Sequence, residues 1–453
     1  MRLVSKTFLV VAAFAAGCGG GAAAGGGQPT AGGPAKPPAA QPAGPAEQSV
    51  AAGNPDPAAG PAPAAAPAAP RDTQWDAAVT YFAESEKAGW NGDRCDDAAE
   101  KFVAAGKGKR ADAFFNAGVA YQKCSKLADA ERHYKQALAV DANYAPALAS
   151  LGELAFRAGR RDEAVQLWKQ AVDKDGRLEV TAARVNLAAL AYQQIRATSV
   201  AATRAQLEKD AIGHLQRTLA IDNDNIVAYT LMALIYMEGA ERNRNRLDVA
   251  ELLISEGKKR NDRYAPLWNA SGILKMKRGN VAKALEDFRQ AVQLDPKLAE
   301  ARMNVGQIVL SSRNYDDAEN QFREVLAMER NNYEALIGLG IALRGQATVA
   351  RAAGKSGDFD AKIKDAEDTY NKAMTLDRNR PDSYYNLGLL YKDYKTNSED
   401  QSRNIAQYRR AKQYFQDYLA RADKSEEKRD DAQGHIQDCD KYVDILTKAM
   451  ASK

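Results

Sequence analysis

The chain has 453 residues, 27% of them charged, and a formal net charge of only +4. This near balance provides no large basic field for nucleic acid, and basic and acidic residues alternate along the chain as they do on an ordinary solvated surface. After the first 17 residues, no apolar run approaches the ~20 residues that a membrane-spanning helix needs. We therefore expect a soluble body that binds no nucleic acid.

The first 17 residues have the layout of a secretory signal, with Arg2 and Lys6 followed by the apolar run Thr7–Ala16. The small residues before Cys18 resemble a bacterial lipoprotein processing box, in which the Cys becomes the lipid-modified first residue of the mature protein. The resemblance implies lipid attachment at Cys18 and a periplasmic protein that meets the membrane only through this anchor. Because Gly19 rather than Asp follows the Cys, the resemblance favours attachment to the outer membrane. The alternative is an ordinary signal peptide that happens to contain a cysteine.

Residues 18–71 are low-complexity sequence rich in Gly, Ala and Pro. With almost no large apolar side chains, this segment cannot bury enough surface to offset the entropy of ordering. We interpret it as a disordered tether, which would span roughly 40 Å as a Gly-rich coil and about 160 Å as an extended polyproline-like chain. A body at its end could stand well clear of a membrane.

One complete helix–turn–helix unit of 34 residues is recognisable from Ala265 to Leu298. Its small residues Gly272 and Ala284 would lie where the two helices cross almost in contact. Trp268 and Phe288 would fill the space beside this crossing. A Gly-Asn turn separates the helices and a Pro ends the second one. Such a unit cannot bury its apolar face alone and needs neighbours.

The same pattern recurs along the chain. The small residue of the first helix recurs at Gly118, Gly152, Ala188, Ala233, Gly272, Gly306, Gly340 and Gly388. The Ala of the second helix recurs at Ala130, Ala164, Ala211, Ala250, Ala284, Ala318, Ala366 and Ala411. A bulky apolar residue follows each Ala by four positions, at Tyr134, Trp168, Leu215, Ile254, Phe288, Phe322, Tyr370 and Phe415. Unrelated amphipathic helices would scatter their alanines, so these columns indicate a repeat.

The repeat resembles that of the tetratricopeptide repeat (TPR) family. The resemblance implies an all-α fold, a right-handed superhelical solenoid of about eight to nine helix–turn–helix units followed by a closing helix. We assign residues 72–110 to a degenerate first repeat, 111–422 to the solenoid and 423–453 to a C-terminal segment with one helix from Glu426 to Met450. The regular repeats are expected to begin near Ala111, Ala145, Thr181, Ile226, Ala265, Ala299, Tyr333 and Pro381.

Four repeats are longer than the basic period, namely those that contain Ala188, Ala233, Gly340 and Gly388. In each, the additional residues fall between the small residue of the first helix and the Ala of the second. We expect them at the turns along one edge of the solenoid, which makes that edge a second candidate surface for partners. Lengthened, solvated helix ends are the alternative.

No constellation in the sequence points to catalysis, a metal or a cofactor. His133, His214 and His435 lie in different repeats, and none has a second His or a Cys at ligand spacing. Neither a Gly-rich phosphate loop nor a nucleophile elbow is present. Acidic residues recur at one position near the end of the second helix, where we assign them a structural role: Asp141, Asp175, Asp222, Asp295 and Asp377. We predict that the protein is not an enzyme and holds no metal or cofactor.

We therefore expect the protein to act through a surface that binds other proteins. In TPR proteins the first helices line a concave groove, and the resemblance places in it Phe115, Val119, Phe156, Val185, Tyr192, Leu234, Met237, Ile273, Met276, Met303 and Ile341. This row is apolar, with methionines near its middle that suit adaptable binding. TPR proteins that grip a C-terminal carboxylate line the groove with Lys, Arg and Asn, so the apolar row argues against that mode. The alternative is that part of the row is buried between repeats.

Cys95, Cys124 and Cys439 follow the processing box. Cys95 lies near the start of the second helix of the degenerate repeat, and Cys124 at the end of the next first helix. Those helices should be antiparallel neighbours, so these two ends should meet. In an oxidising compartment we predict a disulfide between Cys95 and Cys124, with Cys439 left over.

The expected function is that of a membrane-anchored periplasmic scaffold or adaptor that binds other cell-envelope proteins or peptide segments of them. The layout of processing box, long tether and many repeats is also similar to that of periplasmic TPR lipoproteins of the myxobacterial (adventurous) gliding-motility machinery. An alternative in the same class is a pilotin-like assembly factor for an outer-membrane pore or secretin. A TPR arm attached to an enzyme would need a catalytic domain, for which the sequence has no room.

Overall fold

The fold is that of a computed structural model, which describes residues 72–176, 180–240, 243–396, 399–423, 426 and 428–452. The predicted signal, the lipid-attachment site Cys18 and the tether lie outside the described residues. Within these ranges all regular secondary structure is α-helix, in nineteen helices. None of the described helices is both long and apolar enough to cross a membrane.

The helices alternate as first and second members of antiparallel pairs, and a single helix follows the last pair. In chain order they are α1 (Thr73–Ala88), α2 (Gly92–Gly106), α3 (Ala111–Lys123), α4 (Leu127–Val140), α5 (Ala145–Arg157), α6 (Arg161–Lys174), α7 (Thr181–Ala197), α8 (Ala201–Ile221), α9 (Ile226–Glu238), α10 (Asn245–Arg260), α11 (Ala265–Lys277), α12 (Val281–Leu294), α13 (Ala299–Ser311), α14 (Tyr315–Met328), α15 (Tyr333–Ala352), α16 (Ser356–Leu376), α17 (Asp382–Tyr394), α18 (Gln401–Arg421) and α19 (Arg429–Ala451).

Helix starts agree closely with the expected repeat starts. The first helices of seven regular repeats begin at the predicted residue, and α17 begins at Asp382, one residue after the predicted Pro381. The closing helix α19 begins at Arg429, three residues later than the predicted Glu426. The repeat pattern therefore predicts the elements of this fold, and the all-α repeat architecture is confirmed.

The described residues form two compact bodies. The N-terminal body (residues 72–183) contains α1–α6, and the C-terminal body (residues 184–452) contains most of α7 and all of α8–α19. In the N-terminal body, apolar side chains cluster around Phe102 and around Tyr134. In the C-terminal body, one continuous cluster extends from Val185 in α7 to Cys439 in α19.

The crossing of the two helices in each regular repeat is built from the predicted columns. Every Ala of the second-helix column is fully buried. Where the first helix has Gly, that Gly lies directly against the aromatic ring four residues after this Ala, so that an added Cβ would overlap the ring. In the two repeats with Ala in the first helix, the bulky residue is aliphatic instead, Leu215 or Ile254. Residue size is thus complementary across each crossing.

The acidic column near the end of the second helices forms turns between repeats. The Asp141 and Asp295 carboxylates each accept a hydrogen bond, 2.9 Å long, from the backbone amide two residues later. Asp222 and Asp377 do the same at 3.2 Å and 3.0 Å. Such turns compensate for backbone bonds lost where a helix ends. The recurring carboxylates at these four positions therefore have the structural role that their spacing indicates.

In three of the long repeats, additional residues extend helices, including α18, which has 21 residues against 14 in α12. Helices α15 and α16 have 20 and 21 residues, against 13 and 14 in α11 and α12. Helices α7 and α8, with 17 and 21 residues, are extended in the same way. The extension of α15 is bonded to the preceding repeat, because the Gln346 side-chain amide donates to Asp316 and Glu319, each at 2.7 Å. The prediction that these additional residues lie in turns is wrong. Helices are lengthened, as in the alternative, but the extensions are not merely solvated, because Ala347 of α15 and Phe359 of α16 are buried.

Candidate protein-binding face

On each first helix, three residues lie on the same side. Counted from the crossing Gly or Ala, they are the residues at positions −3, +1 and +4, such as Met303, Gln307 and Leu310 around Gly306. This spacing places them in one stripe along an α-helix. In the C-terminal body, α9, α11, α13, α15 and α17 contact one another in turn, so their stripes adjoin. We call the residues of these stripes the first-helix face. All eleven predicted groove residues occupy such positions.

In the N-terminal body, the predicted groove residues Phe115, Val119 and Phe156 are each partly exposed. The ring of Phe115 lies 5.6 Å from those of Tyr134 and Tyr144, measured between centroids. The centroid of the Phe156 ring lies 5.6 Å from that of the Trp168 ring in α6. Aromatic neighbours thus hold these rings in place while part of each remains accessible.

In the C-terminal body, six of the predicted groove residues are core residues. They are Val185, Tyr192, Leu234, Met237, Ile273 and Met303, all of which belong to the continuous apolar cluster. The Tyr192 hydroxyl donates to Glu238 Oε1 at 3.3 Å, which joins α7 to α9. Burial raises the pKa of this hydroxyl well above its ordinary value. For these six residues the groove prediction is wrong, because packing between neighbouring first helices closes the face around them.

The first-helix face is open over α11, α13 and α15. The predicted residues Met276 and Ile341 are partly exposed there. So are Leu310 and Ile337, while Gln307 is exposed. The partly exposed side chains here are apolar, and each packs against the core while part of it stays accessible: Met276, Leu310, Ile337 and Ile341. This open section is the part of the predicted groove that a partner can reach.

Sequence reasoning missed four residues of the open section, namely Gln307, Leu310, Ile337 and Arg344. The signal was available, because Leu310 follows Met276 by 34 residues and Arg344 follows Leu310 by the same interval. Following each column through every repeat would have found them. The column four positions after the crossing residue changes from Met237, Met276 and Leu310 to the cations Arg344 and Lys392.

The closing helix α19 covers the end of the face at α17. The Tyr385 hydroxyl donates to the Asp431 carboxylate, and Lys392 Nζ lies 3.6 Å from Asp438 Oδ2. Both carboxylates belong to α19. Burial, followed by the bond to Asp431, raises the pKa of Tyr385 far above its ordinary value. The open section therefore lies between buried first helices on one side and α17 on the other, where Tyr385 is buried while Leu389 and Lys392 stay partly exposed.

A disulfide joins Cys95 to Cys124, with Cα atoms 6.4 Å apart, and thereby links the start of α2 to the residue that follows α3. This is the pair that the sequence analysis expects. Cys439 is a free, buried thiol. Burial raises its pKa to about 11, which leaves almost no reactive thiolate at neutral pH.

The three histidines lie apart and serve local packing. A His133 ring nitrogen lies 2.9 Å from the Asp129 carbonyl oxygen, and the His435 ring lies 4.9 Å from that of Phe415. Burial lowers the pKa of His214. Across the described part of the chain, no group of three or more His, Cys, Asp or Glu is arranged to hold a metal ion. A shallow, open depression of about 510 Å³ lies over one side of α4.

Two family models match the chain, both described as tetratricopeptide repeat, one over residues 115–176 and the other over residues 275–339. A curated relative is the human protein O-mannosyl-transferase TMTC1, which is 27% identical over 216 residues. The match covers 48% of this chain but only 23% of that relative.

Solved structures with similar folds include TTC0263, a thermophilic TPR protein of Thermus thermophilus, at 22% identity and a TM-score of 0.36 over 44% of this chain and 98% of that one. They also include YrrB, a TPR protein with an unusual peptide-binding site, at 20% identity and a TM-score of 0.34 over 45% and 96% of the two chains. A third is PilW, a type IV pilus biogenesis factor, at 17% identity and a TM-score of 0.39 over 57% and 97%.

Proposed function

We propose that the chain holds segments of partner proteins on its first-helix face. Two of its segments match models of the tetratricopeptide repeat, a fold that serves generally as a protein-interaction scaffold. The open section over α11, α13 and α15 supports this proposal. There Met276, Leu310 and Ile341 expose apolar surface between parts of the face that are closed. Apolar side chains left accessible in one bounded stretch are typical of a docking surface.

We further propose that the scaffold is fixed to a membrane by lipid on Cys18 and works in the periplasm on other cell-envelope proteins. The signal-like layout of the first 17 residues supports this part of the proposal. The identity of the partner proteins would then distinguish a role in a gliding-motility complex from a role in the assembly of an outer-membrane pore. No catalytic step is assigned to the chain.

The test is capture of partners from cross-linked cell envelopes by the full-length protein. A variant with Met276→Ser and Ile341→Ser should lose specific partners, because it removes apolar contacts from the open section. The matched control is Leu252→Ser, since Leu252 on the second helix α10 is 62% exposed but lies off the face. If the unaltered protein, the double variant and the control all retain the same partners equally, the first-helix face is not the binding surface.

A further inference from the structure

The closing helix α19 buries few of its own side chains. Of its 23 residues, Ala432 and Cys439 are buried, fewer than in any other helix of the C-terminal body. Three large apolar side chains in its second half stay exposed, namely Tyr442, Ile445 and Met450 at 43%, 48% and 42%. Elements with few buried contacts open at a lower free energy than the whole fold. We therefore expect α19 to separate from α18 while the rest of the body stays folded.

The described ion pairs between α19 and the helices beneath it all have the same polarity. Lys412 Nζ of α18 lies 2.7 Å from Asp440 Oδ1. Lys392 Nζ of α17 lies 3.6 Å from Asp438 Oδ2, although Asp393 beside it is nearer at 3.3 Å. The carboxylates thus come from α19 and the cations from α17 and α18. Partly exposed pairs of this kind add little stability, so they do not fix α19 in place, but they select which helix binds there.

A layer of aromatic rings lies beneath α19. Phe415 and Tyr418 of α18 are buried, and the Tyr385 ring lies 5.9 Å and 5.2 Å from their centroids. From α19, the His435 ring lies 4.9 Å from that of Phe415, and Asp431 accepts a hydrogen bond from the Tyr385 hydroxyl. We call these three α17 and α18 rings, together with Lys392 and Lys412, the α19 docking surface. Removal of α19 would expose part of these rings to water.

One polar group of the α19 docking surface is left unsatisfied. The Tyr418 hydroxyl is buried and has no hydrogen-bond partner within the described ranges. Buried polar atoms are nearly always paired in folded proteins, so an exception needs an explanation. With α19 in place, the surface therefore keeps a bonding capacity that another helix can use.

We propose that α19 is displaceable and that an amphipathic helix of a partner protein takes its place on the α19 docking surface. The helix that lies there now defines the chemistry of the partner. Small or apolar residues must face the rings, and acidic residues must stand directly before and after one of them, as Asp438 and Asp440 flank Cys439. This surface covers the last helix pair, apart from the open section over α11, α13 and α15, so the inference goes beyond the proposed function.

A second copy of the chain is the other candidate, since its own α19 has the required pattern. Exchange of α19 between two copies replaces each contact by an identical one, and it costs the entropy of association. The tethered α19 also acts at a high effective concentration. A partner helix that buries more than the two residues of α19 gains contacts that α19 does not make. The low burial of α19 therefore favours a partner over a second copy.

The test uses full-length protein with Cys18→Ser, in which Cys439 is the one thiol outside the disulfide. Cys439 is buried while α19 is docked, so its reaction with dithiobis(nitrobenzoic acid) reports displacement. The probe is a synthetic peptide of residues 429–451 with Cys439→Ser. Because a tethered helix competes at an effective concentration on the order of 1 mM, about 0.1 mM peptide should displace about a tenth of it. The thiol should then react at about a tenth of its rate in urea-denatured protein, several-fold faster than without peptide.

Two altered peptides test whether charge is read. A peptide that also carries Asp438→Asn and Asp440→Asn should be about twofold to tenfold less effective, because it lacks the partners of Lys392 and Lys412. The matched control carries Asp430→Asn and Asp444→Asn, which removes the same charge at positions with no described bond to α17 or α18. This control should displace α19 as well as the original peptide does.

Unchanged thiol reactivity with every peptide would mean that α19 is not displaceable, which overturns the inference. Equal effects of the two altered peptides overturn it as well, since the surface then does not select acidic residues. If dimers form in sedimentation while Cys439 stays protected, a second copy's α19 is the occupant and the partner helix is wrong. The proposed function is judged separately, by partner capture with the Met276 and Ile341 variant.

Discussion

At the scale of single residues, the crossing within each repeat depends on a pair of complementary sizes. A Cβ on Gly272 would lie 2.5 Å from the Phe288 ring, well inside van der Waals contact. Where the first helix carries Ala188 or Ala233, the residue that occupies the place of the ring is aliphatic. The two positions are therefore coupled, and neither can be enlarged without a change in the other.

Gly272→Ala should lower the free energy of unfolding by about 1–3 kcal/mol, because the ring of Phe288 must move aside. In a Phe288→Leu background the same change should cost less, since this restores the Ala and aliphatic pairing of other repeats. The gain in helix propensity from Gly to Ala is common to both backgrounds and cancels. Urea denaturation of the four proteins should give a coupling energy of about 1 kcal/mol or more. If the losses in free energy of unfolding from Gly272→Ala and Phe288→Leu simply add, the sizes of these two residues are not complementary.

Met237 and Met276 occupy the same repeat position but different environments. Met237 is 1% exposed and belongs to the core, whereas Met276 is partly exposed. Met237→Ser should therefore cost about 2–5 kcal/mol, as large-to-small changes in cores do. Met276→Ser should cost much less, on the order of 0.5–1 kcal/mol. Thermal melting of the two variants compares them directly, and equal losses would mean that Met276 is core and the face is closed there too.

At the scale of elements, the disulfide holds the degenerate first repeat to the next one. It connects α2 to the end of α3 across 29 residues of sequence. The double variant Cys95→Ala, Cys124→Ala should be less stable by about 2–4 kcal/mol, chiefly because its unfolded chain is less constrained. Hydrogen exchange should show the loss in α1–α3. Reductant should destabilise the unaltered protein and have no effect on the double variant; an effect on both would point to another cause.

The contact of α16 with α17 depends on an ionised carboxylate. Burial raises the pKa of Glu367, but hydrogen bonds from Lys395 and Tyr391 outweigh it, and the pKa lies below its ordinary value. The unfolded chain therefore binds a proton more readily than the folded one, so this stabilisation is complete above about pH 4.3 and is lost as the pH falls through the lower folded pKa. The stability difference between the unaltered protein and Glu367→Gln should accordingly be constant near neutral pH and shrink in acid. A difference that grows in acid would contradict the assignment.

At the scale of the whole molecule, the proposed membrane attachment depends on Cys18, which lies outside the described residues. Cys18→Ser should move the protein from the membrane fraction to the soluble periplasm or block its processing, because two or three acyl chains at ~0.8 kcal/mol per buried methylene hold a protein almost permanently. Fractionation after a high-salt wash measures this. Retention of the variant with membranes would show that something other than lipid holds the chain there.

The repeat, the starts of its first helices and its crossings could be predicted from the sequence, because these features depend on residues close together in the chain. Two helices can cross in near contact only where both carry small residues, and that requirement leaves a periodic record such as Gly272 and Ala284. The turn carboxylates bond to the backbone only two residues later, and the Cys95–Cys124 pairing follows from the antiparallel packing of neighbouring helices. Sequence alone therefore determined the architecture.

Which residues of the first-helix face a partner can reach was decided only by the tertiary structure. Met237 and Met276 have the same place in the repeat, yet one is core and the other is accessible, because burial depends on the helices that pack around each residue. The same holds for charge. Lys392 and Arg344 are equivalent in the repeat, but α19, 37 or more residues further along the chain, brings a carboxylate to Lys392 alone. Such contacts between residues distant in sequence leave no periodic mark, so only the folded chain shows which cation has a carboxylate beside it.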